Sequence, residues 1–439
     1  MKSILLISYY FPPMGMGGTQ RVAGFARHLP AFGWRPLVLT VKKVAYYAHD
    51  ETLCEGLDTV PIIRTGSLDP LRLAYILQQW LQKRRRNRRR ETAASLHAGV
   101  RYGRRWLRWL LNHLLIPDQK VLWLPFAYWR ARRLLQEHKI DWILTSGPPH
   151  SAHLLGWLLH RLYGVRWLAD FRDGWSGGDF QPEATPLHRW LNRRLQRRVL
   201  RSATAVTAVS EGLKQVLQAS EPQHAPIEVI TNGYDAGAFS NRKRRRTPDP
   251  VFDLVHVGTL GNFVDPTVFL AAFQRFIEDA GLTENKVRLW FIGADLAGTL
   301  QQHVQALKLE RFVQATGYIS HPDAIKHLLQ ADLLLYLVTG DPYPGFIPGK
   351  TFEYLAARRP ILAVCPDIEG LTILRQAAHV RHAHPEDFDR IVLALKAFYL
   401  EFMNRTPVPA LSPEKRDIIQ TYSRKALTAK LIKLLEAGG

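Results

Sequence analysis

The chain has 439 residues, more than the roughly 250–300 that one hydrophobic core usually organises, so two domains are expected. It carries 59 Lys and Arg against 38 Asp and Glu, and this net charge of +21 favours an anionic partner such as nucleic acid, an anionic membrane or a phosphorylated substrate. The two cysteines, Cys54 and Cys365, argue against a secreted disulfide scaffold and for a reducing cytosol.

The first elements predict a βαβ unit. The apolar run Ile4 to Tyr10 predicts a buried strand. It is too short to be the apolar part of a signal peptide. A loop with Gly17 and Gly18 leads into a predicted helix, and a second strand follows. The loop therefore lies at the carboxyl end of a strand, where open α/β sheets bind ligands. The two glycines either let a phosphate come close to the backbone or permit a tight turn. The loop does not have the GxGxxG pattern that is typical of dinucleotide-binding sites.

A strongly basic segment over about 70–135 interrupts the αβ alternation, beginning with the run of Lys and Arg at 83–90. Basic side chains then recur on one face of a predicted helix, at Arg101, Arg104, Arg105 and Arg108. Trp and Leu fill the other face, a composition that predicts binding to an anionic membrane surface through residues 83–115. No stretch reaches the ~18 apolar residues of a membrane-spanning helix, so this contact is expected to be peripheral.

Two alternatives for this basic segment remain open. Its apolar face could pack on the domain and leave a solvated basic face. It could also bind nucleic acid, although no zinc-ligand spacing, RNP pattern or helix-turn-helix signature supports that.

Two later strands end in loops that carry titratable side chains. These are His150 and His153 after one strand, and Asp170, Arg172 and Asp173 after the next. The carboxyl ends of parallel strands meet at one edge of a sheet, so we expect these loops to lie side by side. A carboxylate and an arginine there suit an acceptor hydroxyl and a phosphate. The alternatives are a structural Arg–Asp network and loop or helix-capping histidines.

The second half repeats the αβ pattern after a charged, proline-containing loop at 241–250, which places a domain boundary near 222–250. Its first strand ends in a glycine loop at Gly258. Helices are predicted over 296–308 and, at the end of the chain, over 413–436. Strand–helix alternation in both halves predicts an α/β protein of two doubly wound, Rossmann-like domains facing one another across a cleft. We expect domains at residues 1–225 and 226–439, with the last helix able to pack back on the first domain.

A helix start near the end of this second series carries the clearest binding signal. Pro348 and Gly349 begin a predicted helix in which Lys350 and Glu353 share one face. A helix N-terminus beside a lysine favours an anion, and a carboxylate one turn further can accept hydrogen bonds from a ribose diol. The alternative is an ordinary αβ unit with a surface lysine and glutamate.

In their order and spacing, six short motifs resemble those of the family 4 glycosyltransferases, which are retaining enzymes of the GT-B fold. The motifs are Phe11-Pro-Pro with Gly17-Gly18, Ser146 to His153, Ala169 to Ser176, Ile230 to Asp235, Val257 to Leu260 and Pro348 to Ala356. The resemblance covers nearly the whole chain and is weakest over residues 45–115.

The resemblance implies a nucleotide-sugar donor held mainly by the second domain, an acceptor held by the first, and no metal or other cofactor. Glu353 would bind the ribose, and Gly349-Lys350 would lie beside the diphosphate. The donor-binding candidates are Gly17, Gly18, Arg21, Gly258, Thr259, Gly349, Lys350, Thr351 and Glu353. The candidate catalytic residues are Asp173, Asp170, Arg172 and His150, with Asp173 the first candidate for contact with the sugar or acceptor.

The chain departs from the family pattern at two places. The acid expected eight positions before Glu353 is Gly345 here, and the nearest acid in the loop is Asp341. The Arg and Lys that many relatives carry after the glycine loop at Gly258 are also missing. Neutralising the diphosphate would then depend on Lys350, backbone N–H groups or Arg21.

Together with the basic segment, the resemblance leads us to expect transfer of a sugar to a polysaccharide or lipid-linked acceptor, as in lipopolysaccharide or exopolysaccharide synthesis, at the cytoplasmic face of the membrane. The expected partners are the donor, the acceptor and an anionic membrane surface, with no nucleic acid. The alternatives are a non-catalytic binding protein on a GT-B scaffold and a nucleotide-sugar epimerase or hydrolase.

Overall fold

The computed structural model describes residues 1–15, 17–42, 49–69, 115–176, 185–240, 251–261, 263–407 and 410–438. Most of the basic segment predicted at 70–135, and nearly all of the membrane-binding stretch predicted at 83–115, lies outside the described residues. The chain divides into two compact units, Met1–Ile230 with Thr428–Gly439, and Thr231–Leu427.

The first unit is built on a seven-stranded parallel sheet with the order β3-β2-β1-β4-β5-β6-β7. The strands are β1 Lys2–Ile7, β2 Trp34–Val41, β3 Ile62–Thr65, β4 Trp142–Gly147, β5 Arg166–Phe171, β6 Ala205–Ala208 and β7 Ile227–Val229. The chain moves outward from β1 to β3 and then returns to place β4 on the other side of β1. This switch point opens a crevice at the carboxyl ends of β1 and β4, next to the glycine loop.

Five α-helices are described in the Met1–Ile230 part of the first unit. They are α1 Gly17–His28, α2 Leu124–Glu137, α3 Ser151–Tyr163, α4 Pro186–Ser202 and α5 Glu211–Ser220. Strand β3 and helix α4 were not predicted from the sequence. Helix α4 has clear start signals, because the Thr185 side chain accepts a hydrogen bond from the backbone N–H of His188 and Pro186 occupies the first turn.

The second unit is built on a six-stranded parallel sheet with the order β10-β9-β8-β11-β12-β13. The strands are β8 Phe252–Val257, β9 Val287–Ile292, β10 Val313–Gly317, β11 Leu333–Leu337, β12 Ile361–Val364 and β13 Val380–Ala383. The helices are α6 Thr267–Ala280, α7 Leu300–Ala306, α8 His321–Gln330, α9 Lys350–Ala357, α10 Glu369–Ala377, α11 Phe388–Met403, α12 Pro413–Thr421 and α13 Arg424–Ala437. Its switch point lies between β8 and β11, and the residues of α13 from Thr428 onward belong to the first unit.

Two helix predictions were wrong. The helix predicted over 413–436 is two helices, because the backbone of Tyr234 bonds to Tyr422 and Arg424 and interrupts the helical hydrogen bonds between them. The helix predicted over 296–308 begins only at Leu300, because the Asp295 carboxylate accepts hydrogen bonds from the backbone N–H groups of Gly298 and Leu300. Strand β13 was also missed. Within the described residues, no helix is long and apolar enough to cross a bilayer.

Candidate active site

Asp170, at the end of β5, is the centre of a buried network in the first unit. Arg21 of α1 donates to its carboxylate through Nε and Nη2 at 2.7–3.1 Å. Ser146 and Thr207 donate their hydroxyls at 2.7 Å each. Burial works to raise the pKa of Asp170, but Arg21 and these hydroxyls outweigh it and the pKa is lowered. The ionised carboxylate therefore joins the start of α1 to β4, β5 and β6.

Arg172 ties the glycine loop to the loop after β4. Its backbone N–H donates to the carbonyl of Gly147 at 2.9 Å, and its guanidinium donates to the carbonyls of Gly147, Gly18 and Pro148. A Cβ at Gly18 would lie 2.9 Å from Nη1 of Arg172, so a side chain at this position would have to displace the guanidinium. Arg172 is buried, and burial lowers its pKa, with Asp173 and Asp170 opposing the shift. The contacts of its guanidinium with the two loops suit a positioning role.

Asp173 is exposed, unlike Asp170 and Arg172 beside it. Surrounding protein atoms remove part of the water around its carboxyl and raise its pKa, whereas the positive charge of Arg172 lowers it. Because Asp173 also contacts solvent, the rise in its pKa is weakened. Of the three candidates in this loop, Asp173 is the one that is open to solvent.

His150 and His153 are buried in an aromatic stack. His150 lies parallel to Trp175, with ring centroids 5.0 Å apart, and His153 stacks on Phe171 at 4.6 Å. Burial lowers the pKa of His150 well below its usual range, helped by His153, and burial lowers that of His153 to about 3. Both rings are therefore neutral near pH 7, and the stack supports the loop at Trp175.

Helix α4 holds the same loop through its buried polar face, which was not predicted from the sequence. Asn192 accepts from the Trp175 indole at 3.3 Å, and the Gln196 side chain accepts from the backbone and hydroxyl of Ser176 at 3.0 and 2.9 Å. The signal in the sequence was a pair of amides four residues apart, on the side of the helix opposite its arginines.

In the second unit the structure brings Lys350 next to Gly258, at the carboxyl ends of β8 and β11. The ammonium donates to the carbonyl of Leu337 at 3.0 Å and lies 5.4 Å from the centre of the Tyr336 ring. A Cβ at Gly258 would lie 3.7 Å from Cδ of Lys350, and Gly258 has a φ of +144° that favours glycine. Burial lowers the pKa of Lys350 to about 7, with Cys365 opposing the shift.

His256, on β8, is a further polar group at this site that was not predicted from the sequence. It is fully buried, and its Nδ1 lies 3.0 Å from the carbonyl of Leu335, so Nδ1 carries the proton and Nε2 is an acceptor. Nε2 lies 3.6 Å from the position of a Cβ at Gly258, close to Lys350, and has no hydrogen-bond partner in the described part of the chain. Burial, followed by Lys350, lowers the pKa of His256 well below its usual range. A histidine among the apolar residues Leu254, Val255 and Val257 was the available signal.

Glu353 lies one turn into α9 and contacts His321, the first residue of α8. Its Oε1 is 2.7 Å from Nε2 of that ring. Burial works to raise the pKa of Glu353, but His321 and, to a smaller extent, Arg424 outweigh it, and the pKa is lowered. An ionised carboxylate fixed on one side by His321 suits a ribose diol.

The remaining candidates of the second unit differ in exposure. Thr351 is fully buried, its hydroxyl contacts Pro348 and Tyr336, and its N–H donates to the carbonyl of Pro348. Both polar groups of Thr351 therefore make hydrogen bonds within the protein at the start of α9. Thr259, Gly349 and Asp341 are exposed, whereas Gly345 is buried. In the described ranges no cluster of three or more His, Cys, Asp or Glu side chains could hold a metal ion.

Two family models match the chain. The model described as "Glycosyl transferase 4-like domain" matches residues 16–233, and the model described as "Glycosyl transferases group 1" matches residues 252–397. The chain belongs to the family 4-type glycosyltransferases. This confirms the predicted family and the prediction of a glycosyltransferase enzyme. No curated protein sequence matches the chain.

Solved structures share the whole fold. Sucrose-phosphate synthase from Thermosynechococcus elongatus has a TM-score of 0.65 at 15% identity, over 100% of this chain and 99% of that one. HepE from Anabaena, in complex with UDP, has a TM-score of 0.63 at 15% identity over 100% of both chains. A glycosyltransferase from Rickettsia africae ESF-5 has a TM-score of 0.63 at 13% identity, over 100% and 98%. The prediction of a GT-B fold with two Rossmann-like domains is confirmed.

Proposed function

We propose that the enzyme is a retaining glycosyltransferase that moves a sugar from a nucleotide diphosphate to a polysaccharide or lipid-linked acceptor at the cytoplasmic face of the membrane. The observation that carries the proposal is the group of Lys350, Gly258 and Glu353 at the switch point of the second sheet. A cation, a glycine that lets a ligand approach the backbone, and a fixed carboxylate one helical turn away match a diphosphate followed by a ribose.

The similar structures support the kind of donor. Structures of HepE are described in complex with UDP, with UDP and glucose, and with UDP-glucose. These relatives have low sequence identity to this chain, so they support a nucleotide-sugar donor as a class and leave its base and sugar to experiment.

The chemistry follows from charge. The ammonium of Lys350 and the N–H groups at the start of α9 stabilise the negative charge that develops on the leaving diphosphate, without a metal. The acceptor hydroxyl attacks the anomeric carbon on the face that the diphosphate leaves, and the departing phosphate takes the proton. A protein base is then not obligatory, which fits a neutral, stacked His150. Asp173, which is exposed, contacts the acceptor or the sugar.

The membrane part of the proposal rests on charge in the sequence. The net charge of +21 and the basic segment at 83–115 suit an enzyme that works on a lipid-linked acceptor at an anionic surface. The acid that relatives carry at position 345 is a glycine here, so Asp341, exposed in the same loop, is the proposed substitute contact for the sugar.

Two experiments, carried out one after the other, test this function. A thermal-shift panel of nucleotide sugars identifies the donor, because a bound donor raises the unfolding temperature by mass action. The best donor, radiolabelled in its sugar, is then incubated with the protein and membrane lipids. Label should move into the lipid or polymer fraction with its anomeric configuration retained. Release of free sugar, or its conversion to an epimer, would show hydrolase or epimerase activity instead.

A further inference from the structure

Helices α2, α3 and α4 pack side by side on one face of the first sheet and together carry an unusual excess of arginine. The three helices contain ten arginines, no lysine and a single acid, Glu137. An ordinary solvated surface mixes both signs of charge, so a one-sided excess of this size indicates an anionic partner.

Helix α4 shows how this charge is arranged. Its buried side is the polar face that holds the loop at Trp175 and Ser176. Its other side is exposed, and its residues there other than Pro186 are Leu187, Arg189, Trp190, Arg193, Arg194, Arg197, Arg198 and Arg201. At 100° per residue, Trp190 falls near the middle of this arc with arginines on both sides. Arg193, Arg194 and Arg198 make no ion pair with any carboxylate in the described residues.

Exposed aromatic and apolar side chains accompany these arginines. Trp129 of α2 is 60% exposed, Trp190 is 55% exposed and Leu187 is 60% exposed. Arginine guanidinium groups lie over the indoles: Arg132 over Trp129 at 5.7 Å and Arg194 over Trp190 at 5.6 Å. We call the exposed side of α2, α3 and α4 the arginine–tryptophan face.

We propose that the arginine–tryptophan face is a docking surface for an anionic lipid bilayer. Indole rings settle at the headgroup level of a bilayer, and guanidinium groups bind lipid phosphates while their stems remain in apolar surroundings. Exposed Leu187, beside Trp190, adds an apolar side chain. Such a side chain can contact the apolar part of a lipid bilayer, whereas the phosphate backbone of a nucleic acid offers it no apolar contact. This inference rests on the proposed function, because a lipid-linked acceptor would then be delivered beside the loop that α4 supports.

The docking surface is distinct from the basic stretch at 83–115, so the test uses the full-length chain and changes only the described face. The variant Arg193→Gln/Arg194→Gln/Arg198→Gln removes three positive charges. The matched control, Arg311→Gln/Lys415→Gln/Arg416→Gln, removes three exposed charges from the second unit. A second variant, Trp190→Ser, removes the indole and leaves the charge unchanged. Far-UV circular dichroism and the unfolding temperature confirm that each protein is folded.

Binding is measured by co-sedimentation with vesicles of phosphatidylcholine mixed with phosphatidylglycerol, and with vesicles of phosphatidylcholine alone. Each cation at an anionic surface strengthens binding about fivefold, so the triple variant should bind roughly a hundredfold more weakly. The control should bind as the wild type does. Added salt should weaken wild-type binding, and Trp190→Ser should lose most of the binding that persists in salt.

Three results would overturn the proposal: equal binding of the triple variant and the wild type, an equal loss in the control, or stronger binding of the wild type to duplex DNA or RNA than to anionic vesicles. Thermal shift with the nucleotide sugar is recorded on the same proteins. Docking lost with donor binding intact supports the lipid surface. If the proteins bind vesicles as expected but no nucleotide sugar raises the unfolding temperature, the lipid surface is still supported and only the assignment of the donor is refuted.

Discussion

At the scale of single residues, Lys350 should make donor binding depend on pH. Its pKa is lowered to about 7 in the folded protein, so above that pH the free enzyme must take up a proton when the diphosphate binds. We expect the dissociation constant of a nucleotide sugar to be constant below about pH 7 and to rise by up to about tenfold per pH unit above it. Isothermal titration calorimetry in buffers of different ionisation enthalpy measures both the affinity and the proton uptake.

The control for this prediction is Lys350→Arg, which keeps the positive charge but cannot lose its proton in this range. Its affinity should be weaker because the geometry changes, yet flat with pH. A wild-type dissociation constant that does not change between pH 7 and 9 would contradict the assignment of Lys350 to the diphosphate.

Glu353 should contribute to nucleotide binding through the ribose. Its ionised carboxylate, fixed by His321, is replaced by a neutral amide of similar size in Glu353→Gln. Hydrogen bonds to a charged group contribute about 1.5–3 kcal/mol, so binding should weaken roughly ten- to a hundredfold. Calorimetry with the ribose and 2′-deoxyribose forms of the best nucleotide completes the comparison. The wild type should bind the deoxyribose form more weakly than the ribose form. The Glu353→Gln variant should bind the two forms equally well.

The exposed Glu386 provides the matched control, since Glu386→Gln removes the same charge from the surface of the second unit. If Glu353→Gln and the wild type discriminate equally between the two sugars, Glu353 does not contact the ribose hydroxyls.

At the scale of elements, the Arg21–Asp170 pair joins α1 to the ends of β4, β5 and β6. Because both groups are buried, removing one partner leaves an uncompensated charge or an unmet donor, which costs about 3–5 kcal/mol. Asp170→Leu and Arg21→Met should each lower the free energy of unfolding by that order, as measured by urea denaturation. The double variant should be less destabilised than the sum of the two, because neither charge is then left alone.

The pH dependence of the same pair has a definite sign. The pKa of Asp170 is lowered in the folded state, so its contribution to stability is present above its unfolded value, near 4, and is lost as the pH falls through the folded value. The wild type should therefore lose stability in acid relative to Asp170→Leu. Additive losses in the two single variants would show that the two side chains do not act as a pair.

At the scale of the whole molecule, local patterns predicted much of the architecture and few of the partners. Alternating apolar strands and helices gave both parallel sheets, and the helix start at Lys350 and Glu353 was visible in a few residues. The partner of Asp170 could not be found in this way, because Arg21 lies 149 residues earlier. The break between α12 and α13 depends similarly on the backbone of Tyr234, far away in the chain. Patterns in a sequence report local preference, whereas these pairings depend on tertiary contact.

The end of the chain belongs to the first unit, so the stability of that unit should depend on residues after Thr428. Leu431 and Leu435 of α13 are fully buried, Lys430 donates to the carbonyl of Val229, and Gly438 approaches the ring of Trp142. Leu431→Ala should cost roughly 2–5 kcal/mol, while Leu393→Ala, at an exposed position of α11, should cost little. Hydrogen exchange followed by mass spectrometry locates the effect. We expect faster exchange in peptides of β1 and β4, and faster exchange confined to residues 251–407 would assign the tail to the second unit instead.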